Sequence, residues 1–240
     1  MRSSSSDSGP RDVTEPAASS TADAVRPLTR KGAATRARLL QSAKFVFERK
    51  GFLQARVADI TNRAKISYGT FYHYFDSKES VFRELAELEE ARLTAPAPHG
   101  DASPGADTRR LTAVGRITEA NRRYLERYRD QASIMGVIEQ VSRYDDQVNA
   151  VRVATQHHFA ARAERACRRL QQQGKADSGL DPVVAADALG AMVGRFAELW
   201  LVQGYRDYDF DVAVEQLSLL WANALGLPPE VHPAVTGVAS

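Results

Sequence analysis

The sequence predicts an all-α fold, with three or four short helices followed by about five longer ones. Apolar residues recur at three- and four-residue steps from Leu39 onward, and no segment shows the period-two alternation of a half-buried strand. The punctuation agrees: hydroxyl or acidic residues stand ahead of the periodic runs, and glycine or proline bounds them. Charge is divided unevenly. Twelve Lys/Arg against four Asp/Glu between Arg26 and Ser80 give that stretch +8, so in a 240-residue chain of net charge +2 the remainder carries −6. A basic block beside a mildly acidic remainder points to a polyanion-binding head joined to a part with another task.

Residues 1–27 are rich in Ser, Ala, Asp and Pro without periodicity, which predicts a disordered tail. Helix one is expected from Thr35, as N-cap, to a stop at Gly51, with Leu39, Leu40, Ala43, Val46 and Phe47 inward. A short second helix carries Val57, Ile60 and Ala64 on one face. Ser67 then caps a third helix holding Tyr68 to Tyr74. A fourth starts at Asp76-Ser77, turns Val81, Phe82, Leu85 and Leu88 inward, and fades near Thr94. "TAPAPHGDASPGADT" reads as a linker. Beyond it, Leu111, Val114, Ile117, Tyr124, Leu125 and Tyr128 form one stripe, and Ile134 to Val141 is apolar nearly all round, hence buried. A long helix from Tyr144 ends near Gly174, Pro182 opens the next, and Phe210 to Leu225 forms the last. The expected division is a head at 28–80, a larger helical domain at 81–228 and a short tail at 229–240.

Three short helices with a turn of a few residues between the second and third describe a helix-turn-helix. "SYGTFYHYFDSK" is the piece that reads DNA in such an arrangement. Its back needs apolar groups, here Phe71 with Tyr74 and Phe75. Its front needs groups that bond phosphates and base edges, and Tyr68, Thr70, Tyr72 and His73 supply hydroxyls and an imidazole. Gly69 leaves room for close approach, and Lys78 is placed to hold a backbone phosphate. Thr35, Arg56, Lys65 and Ser67 complete the residues expected at the DNA. Arg26, Arg30 and Lys31 are either a minor-groove arm or a solubilising tail.

"RVADITNRAKISYGTFYHYFDSKESVF", together with "TRARLLQSAKFVFERKGF" ahead of it, resembles the DNA-binding region of the TetR family of bacterial transcription regulators over about residues 30–85. The resemblance departs at two places. Ala55 and Arg56 stand where a hydroxyl is common, and Lys65 stands where glycine is common, which adds a cation to the turn or strains it if φ is positive. It implies a homodimer with an N-terminal helix-turn-helix DNA-binding domain and a larger helical ligand-binding and dimerisation domain. The expected function is that of a repressor in the cytoplasm, bound to a near-palindromic operator of double-stranded DNA and released by a small-molecule effector. In the larger domain Tyr124, Tyr128, Met135, Ile138, His158, Phe159, Phe196 and Trp200 mix rings, a thioether and polar tips, so they are the expected pocket residues. Ala186, Gly190, Gly194 and Ala197 form a stripe of small residues, opposite Leu189, Met192, Phe196, Leu199 and Trp200, and are expected at the dimer seam.

Other classes find little support. The single Cys167 excludes an internal disulfide and suggests a reducing compartment. No apolar run suggests a secretory signal or a membrane span. His157-His158 lacks metal-ligand spacing, and "HExxH", a Walker loop and "GxSxG" are all missing, so neither catalysis, metal nor cofactor is expected. The acids of the larger domain are expected on solvated faces.

Overall fold

The computed structural model describes residues 29–95 and 111–228; the predicted tails and most of the predicted linker lie outside them. The described residues form nine α-helices and one π-helical turn, with no strand among them. They are α1 (Arg30–Gln54), α2 (Val57–Ala64), α3 (Tyr68–Tyr74), α4 (Lys78–Thr94), α5 (Ala113–Asp130), α6 (Ala132–Ser142), α7 (Asp146–Gln172), α8 (Pro182–Ala197), the π turn Glu198–Val202, and α9 (Phe210–Ala224). The all-α reading therefore holds, with boundaries close to those expected.

Helix α1 starts a turn and a half earlier than predicted. Thr29 is its N-cap, accepting a hydrogen bond from Gly32 N–H at 3.2 Å. Thr35 lies inside the helix, and its hydroxyl is occupied by the Lys31 carbonyl at 3.0 Å, so its predicted capping role is corrected. Basic and small residues ahead of the first buried position, Leu39, hid the extra turns. The stop at Gly51 is real in backbone terms: its φ of 71° breaks the helical path, and the chain resumes helical turns to Gln54.

One contiguous apolar cluster runs from Leu39 and Phe47 in α1, through Val81, Phe82 and Leu85 in α4 and Ile134 to Val141 in α6, to Val214 and Leu217 in α9. Helix α1 packs on α2, on α4 and directly on α6; α4 also packs on α7. The expected boundary at 80/81 thus falls within α4, a helix that belongs to both halves. Its inward stripe is Val81, Phe82, Leu85, Glu89 and Leu93, whereas Leu88, expected to face inward, is exposed. Glu89 stands four residues from Leu85 and from Leu93, which is why an acid occupies the buried line.

Ion pairs fix α4 on both sides. Arg36 pairs with Glu84, and Lys44 reaches Glu89 at 3.0 Å, both from α1. From the other side, Arg83 chelates Asp145 at 2.9 and 3.0 Å. Asp145 is also the N-cap of α7, accepting from Gln147 and Val148 N–H. Burial alone would raise the Asp145 carboxyl, but the Arg83 guanidinium and the two backbone donors outweigh it and hold the group below its ordinary value. That stabilisation is complete above the unfolded pKa of about 3.9 and is lost as pH falls through the lower folded value. Asp145→Asn keeps a capping side chain and removes the charge. It should cost ~0.2–1 kcal/mol at pH 7. The difference from wild type should vanish in denaturant melts at acid pH, below the folded value.

Candidate nucleic-acid interface and sensor core

Helix α3 is seven residues long, too short to stand alone, and is held from outside. Ser67 caps it: the Oγ accepts Thr70 N–H at 3.1 Å and lies 2.9 Å from the Thr70 hydroxyl. Phe71 and Phe75 are sealed beneath it, with ring centroids 5.9 Å apart, in the cluster that contains Ile60 and Ala64 of α2. Tyr74 is half-buried. With the back anchored, the front turns to solvent: Tyr68 and Tyr72 keep 50% and 51% of their surface, and Gly69 and His73 are exposed. A Cβ on Gly69 would meet only Ser67 Oγ at 3.9 Å, so nothing inside the protein demands glycine there.

The turn between α2 and α3 contains Lys65 at φ 53° and ψ 50°, the one non-glycine positive φ among the described residues. Its side chain is exposed beside the reading helix. The left-handed conformation costs a side-chain-bearing residue about 1–2 kcal/mol. Lys65→Gly should therefore raise stability by roughly 1 kcal/mol. If Lys65 holds a phosphate, the same variant should flatten the salt dependence of DNA binding by about one unit of slope. Melting curves and a salt titration of binding check the two halves separately. At the start of α2, Asp59 accepts from Arg56 N–H at 3.0 Å and from Lys50 Nζ at 2.7 Å, so an acid supplies the cap expected of a hydroxyl. The Arg56 side chain is exposed.

Lys78 has an internal task. Its ammonium donates to the Phe52 carbonyl at 2.9 Å and sits 4.3 Å from the centroid of the Phe52 ring, tying the first turn of α4 to the segment after the Gly51 break. An ammonium has two more protons to offer a phosphate. The sequence disclosed the cation but not this partner.

In the larger part, Met135 and Ile138 are core residues, and Tyr124, Tyr128 and Phe159 stack as a group, with Tyr124 5.8 Å from Tyr128 and 5.3 Å from Phe159. Burial pushes both tyrosine hydroxyls far above their ordinary titration range. Phe196 and Trp200 join a second aromatic group with Tyr208 and Phe210. His158 is exposed, so it is removed from the expected pocket set. Its ring lies outside the stripe that turns Phe159 inward.

The small-residue stripe on α8 is turned partly inward, with Gly190 and Gly194 left half-buried. Ala186 and Ala197 are 2% and 0% exposed within the subunit, and a Cβ at Gly194 would face the Tyr124 hydroxyl at 3.6 Å. These residues let α8 approach its own neighbours α7 and α5 closely. At Gly190 a Cβ would meet nothing within 4 Å. The solvent side of α8 is instead Val184, Ala188 and Ala191, and α9 exposes Val212, Leu219 and Leu220. A groove of about 380 Å³ lies between these helices, lined by Val184, Ala188 and Ala224 among others, and contains none of the expected pocket residues. The reading of acids as uniformly solvated fails as well: Glu89, Glu90 and Glu198 are buried. Glu89 bonds Lys44 and Arg92, and Glu198 bonds Arg195 and Gln203. Cys167 is buried and its thiol is raised by burial. Among the described residues no group of His, Cys, Asp and Glu is arranged to hold a metal ion, and no helix is long and apolar enough to cross a membrane.

Comparison with known proteins agrees with this geometry. The family "Bacterial regulatory proteins, tetR family" matches residues 39–85. An uncharacterized HTH-type transcriptional regulator, YdgC of Bacillus subtilis, is 44% identical over 55 residues, which is 23% of this chain and 28% of that protein. The HTH-type transcriptional regulator UidR of Escherichia coli is 36% identical over 61 residues, 25% of this chain and 31% of its own length. The chain thus spans less than a third of these curated relatives. Solved structures extend the likeness of fold. The fatty acid degradation regulator FadR of Bacillus halodurans superposes with a TM-score of 0.63 at 15% identity, covering 81% of this chain and 97% of that one. GusR of Salmonella enterica gives 0.59 at 21% identity, covering 84% and 100%. Bacillus subtilis FadR, in complex with stearoyl-CoA, gives 0.62 at 15% identity, covering 78% and 98%. Residues 39–85 thus match the TetR family of bacterial regulatory proteins, and the all-helical architecture behind them is shared in fold with these solved structures.

Proposed function

We propose that the protein is a repressor that binds a near-palindromic operator as a homodimer and leaves it when a small molecule occupies the helical core behind the head. The observation that carries this reading is the two-sided construction of α3. Phe71 and Phe75 are locked underneath, while Tyr68, Gly69, Tyr72 and His73 are offered on the outside, beside exposed Lys65 and Arg56. A buried packing helix has no use for that front, and a major groove has use for each group on it. The apolar outer faces of α8 and α9 supply the second copy's contact, and a dimer of reading heads requires an operator with two-fold symmetry. Helix α4, ion-paired to α1 on one side and to α7 on the other, gives an occupant of the core a route to the head. Ligand and operator then weaken each other's binding by the same factor.

Selection of preferred sites from random duplex DNA, followed by titration of the selected duplex against sedimentation of the complex, tests the reading. A symmetric site bound by two chains is the expected result. Binding without sequence preference, or by one chain to an asymmetric site, would overturn it.

A further inference from the structure

Arg36 of α1 is engaged from two sides. Its guanidinium pairs with Glu84 of α4 and lies over the Phe75 ring, 5.0 Å from the centroid. Phe75 is the residue at which α3 ends. Its N–H closes the last turn on the Phe71 carbonyl at 3.0 Å, and its backbone leaves for α4 in an extended conformation. The ring is 4% exposed and stands 5.9 Å from that of Phe71, which in turn meets the exposed Tyr72 ring edge-on at 5.3 Å. A continuous line of contacts therefore runs from Arg36 through Phe75 and Phe71 to the outward face of α3. Helix α3 packs on α2, and its far end is fixed at Phe75. Only Asp76 and Ser77 separate Phe75 from α4, so Phe75, the first turns of α4 and Arg36 form a closed ring. Glu84 is a steady anchor in that ring. The residue before it, Arg83, chelates Asp145 at 2.9 and 3.0 Å, and the two side chains leave α4 about 100° apart. A guanidinium suits the place as an ammonium would not, because its plane stacks on a ring while its edge bonds a carboxylate. Arg36 keeps 35% of its side-chain surface in solvent, and an ion pair this exposed adds little stability. What it contributes is geometry.

We propose that Arg36 is a positioning residue for DNA reading: clamped between Glu84 and Phe75, it sets the tilt of α3 and so where Tyr68, Tyr72 and His73 meet the base edges. This rests on the reading of α3 as the element that enters the major groove. On this assignment Arg36 acts through Phe75 and is not one of the phosphate contacts. Base contacts discriminate only while their geometry is kept, whereas attraction to the phosphates is independent of sequence. Loss of the clamp therefore weakens preference for the operator more than attraction to DNA in general.

The test measures, on the full chain, affinity for the selected operator and for a random-sequence duplex of the same length, each across a series of salt concentrations. Arg36→Met keeps the apolar stem and removes the guanidinium. It should lose about tenfold or more on the operator, the worth of one well-placed base contact. The random duplex should change by no more than about twofold, and the salt slope should stay as it is. Arg36→Lys keeps a charge for Glu84 but no flat group over Phe75, and should recover only part of the loss. Glu84→Gln should lose in the same sense, and the double variant should lose no more than Arg36→Met alone, because the two side chains act as one unit. Equal losses on both duplexes overturn the proposal, and a slope flattened by about one unit would mark Arg36 as a phosphate contact instead. Unchanged operator affinity, full recovery in Arg36→Lys, or additive losses in the double variant also overturn it. Where melting curves show that Arg36→Met does not fold, the operator preference of Glu84→Gln decides. A wild type with no preferred operator refutes the regulator reading and this assignment with it. A wild type that prefers an operator, with variants that prefer it equally, refutes only the assignment.

Discussion

Phe82→Ala should destabilise the protein by about 3–5 kcal/mol. The ring is 1% exposed and meets Phe47 edge-on at 5.0 Å and Phe52 at 4.9 Å. Those two rings flank the Gly51 break in α1, and the Phe52 carbonyl also receives Lys78, so one side chain of α4 holds both ends of the break in place. Removing it leaves a cavity among aromatic walls that cannot collapse without moving α1 against α4. Urea unfolding followed by circular dichroism measures the loss. Leu88→Ala, on the exposed face of the same helix, should stay within about 0.5 kcal/mol of wild type. If the two variants cost the same, the ring cluster is not what joins head to body. The folded fraction of Phe82→Ala should also show a smaller effector-dependent change in operator affinity.

Replacing Leu219 and Leu220 together by Asp should give monomers with unchanged helical content. Both leucines are exposed on α9, next to the solvent side of α8, so charging them costs the isolated subunit little and the paired one a great deal. Sedimentation measures the dissociation. Operator affinity should fall by about 10²–10⁴-fold, because the second reading head no longer adds its half-site at high local concentration. A variant that stays dimeric would place the seam elsewhere. Gly194→Leu should behave differently: its side chain meets Tyr124, so it should lower the melting temperature before it alters the association state.

Most of the fold was legible because helices announce themselves locally. Ser67, Pro182 and Gly174 mark termini through their own backbone chemistry, and each lies where it was expected. The exposed face of α3 was legible for a related reason, since a seven-residue helix that mixes Phe71 with Tyr68, Tyr72 and His73 has only one apolar line to bury. What stayed hidden depends on partners distant in sequence. The small stripe of α8 could serve a neighbour in the same chain or in another copy, and its one contact seen here, Gly194 beside Tyr124 of α5, joins residues seventy positions apart. Glu89 and Glu90 stand side by side in an otherwise ordinary charged helix; the first pairs with Lys44, forty-five residues away, and the second with Arg152 of α7, more distant still in sequence. A signal was present for Glu89, at four-residue distance from both Leu85 and Leu93. None was present for Glu90. Lys78 likewise advertises its charge and conceals its attachment to Phe52.

The continuity of the apolar cluster from α1 to α9 limits how this protein can be rebuilt. Recombining regulators by exchanging a head for another treats the two parts as interchangeable cassettes. Here a cut at residue 80 would strip Phe47 and Phe52 of Phe82, Lys44 of Glu89, and α1 of its seat on α6. A graft that transfers α1 to α3 alone would expose those surfaces. One that carries α4 along would instead leave Arg83 without Asp145. The smallest transplantable unit is therefore set by the faces that α4 and α6 present to α1, and a chimaera of this chain requires a recipient whose corresponding helices already match them.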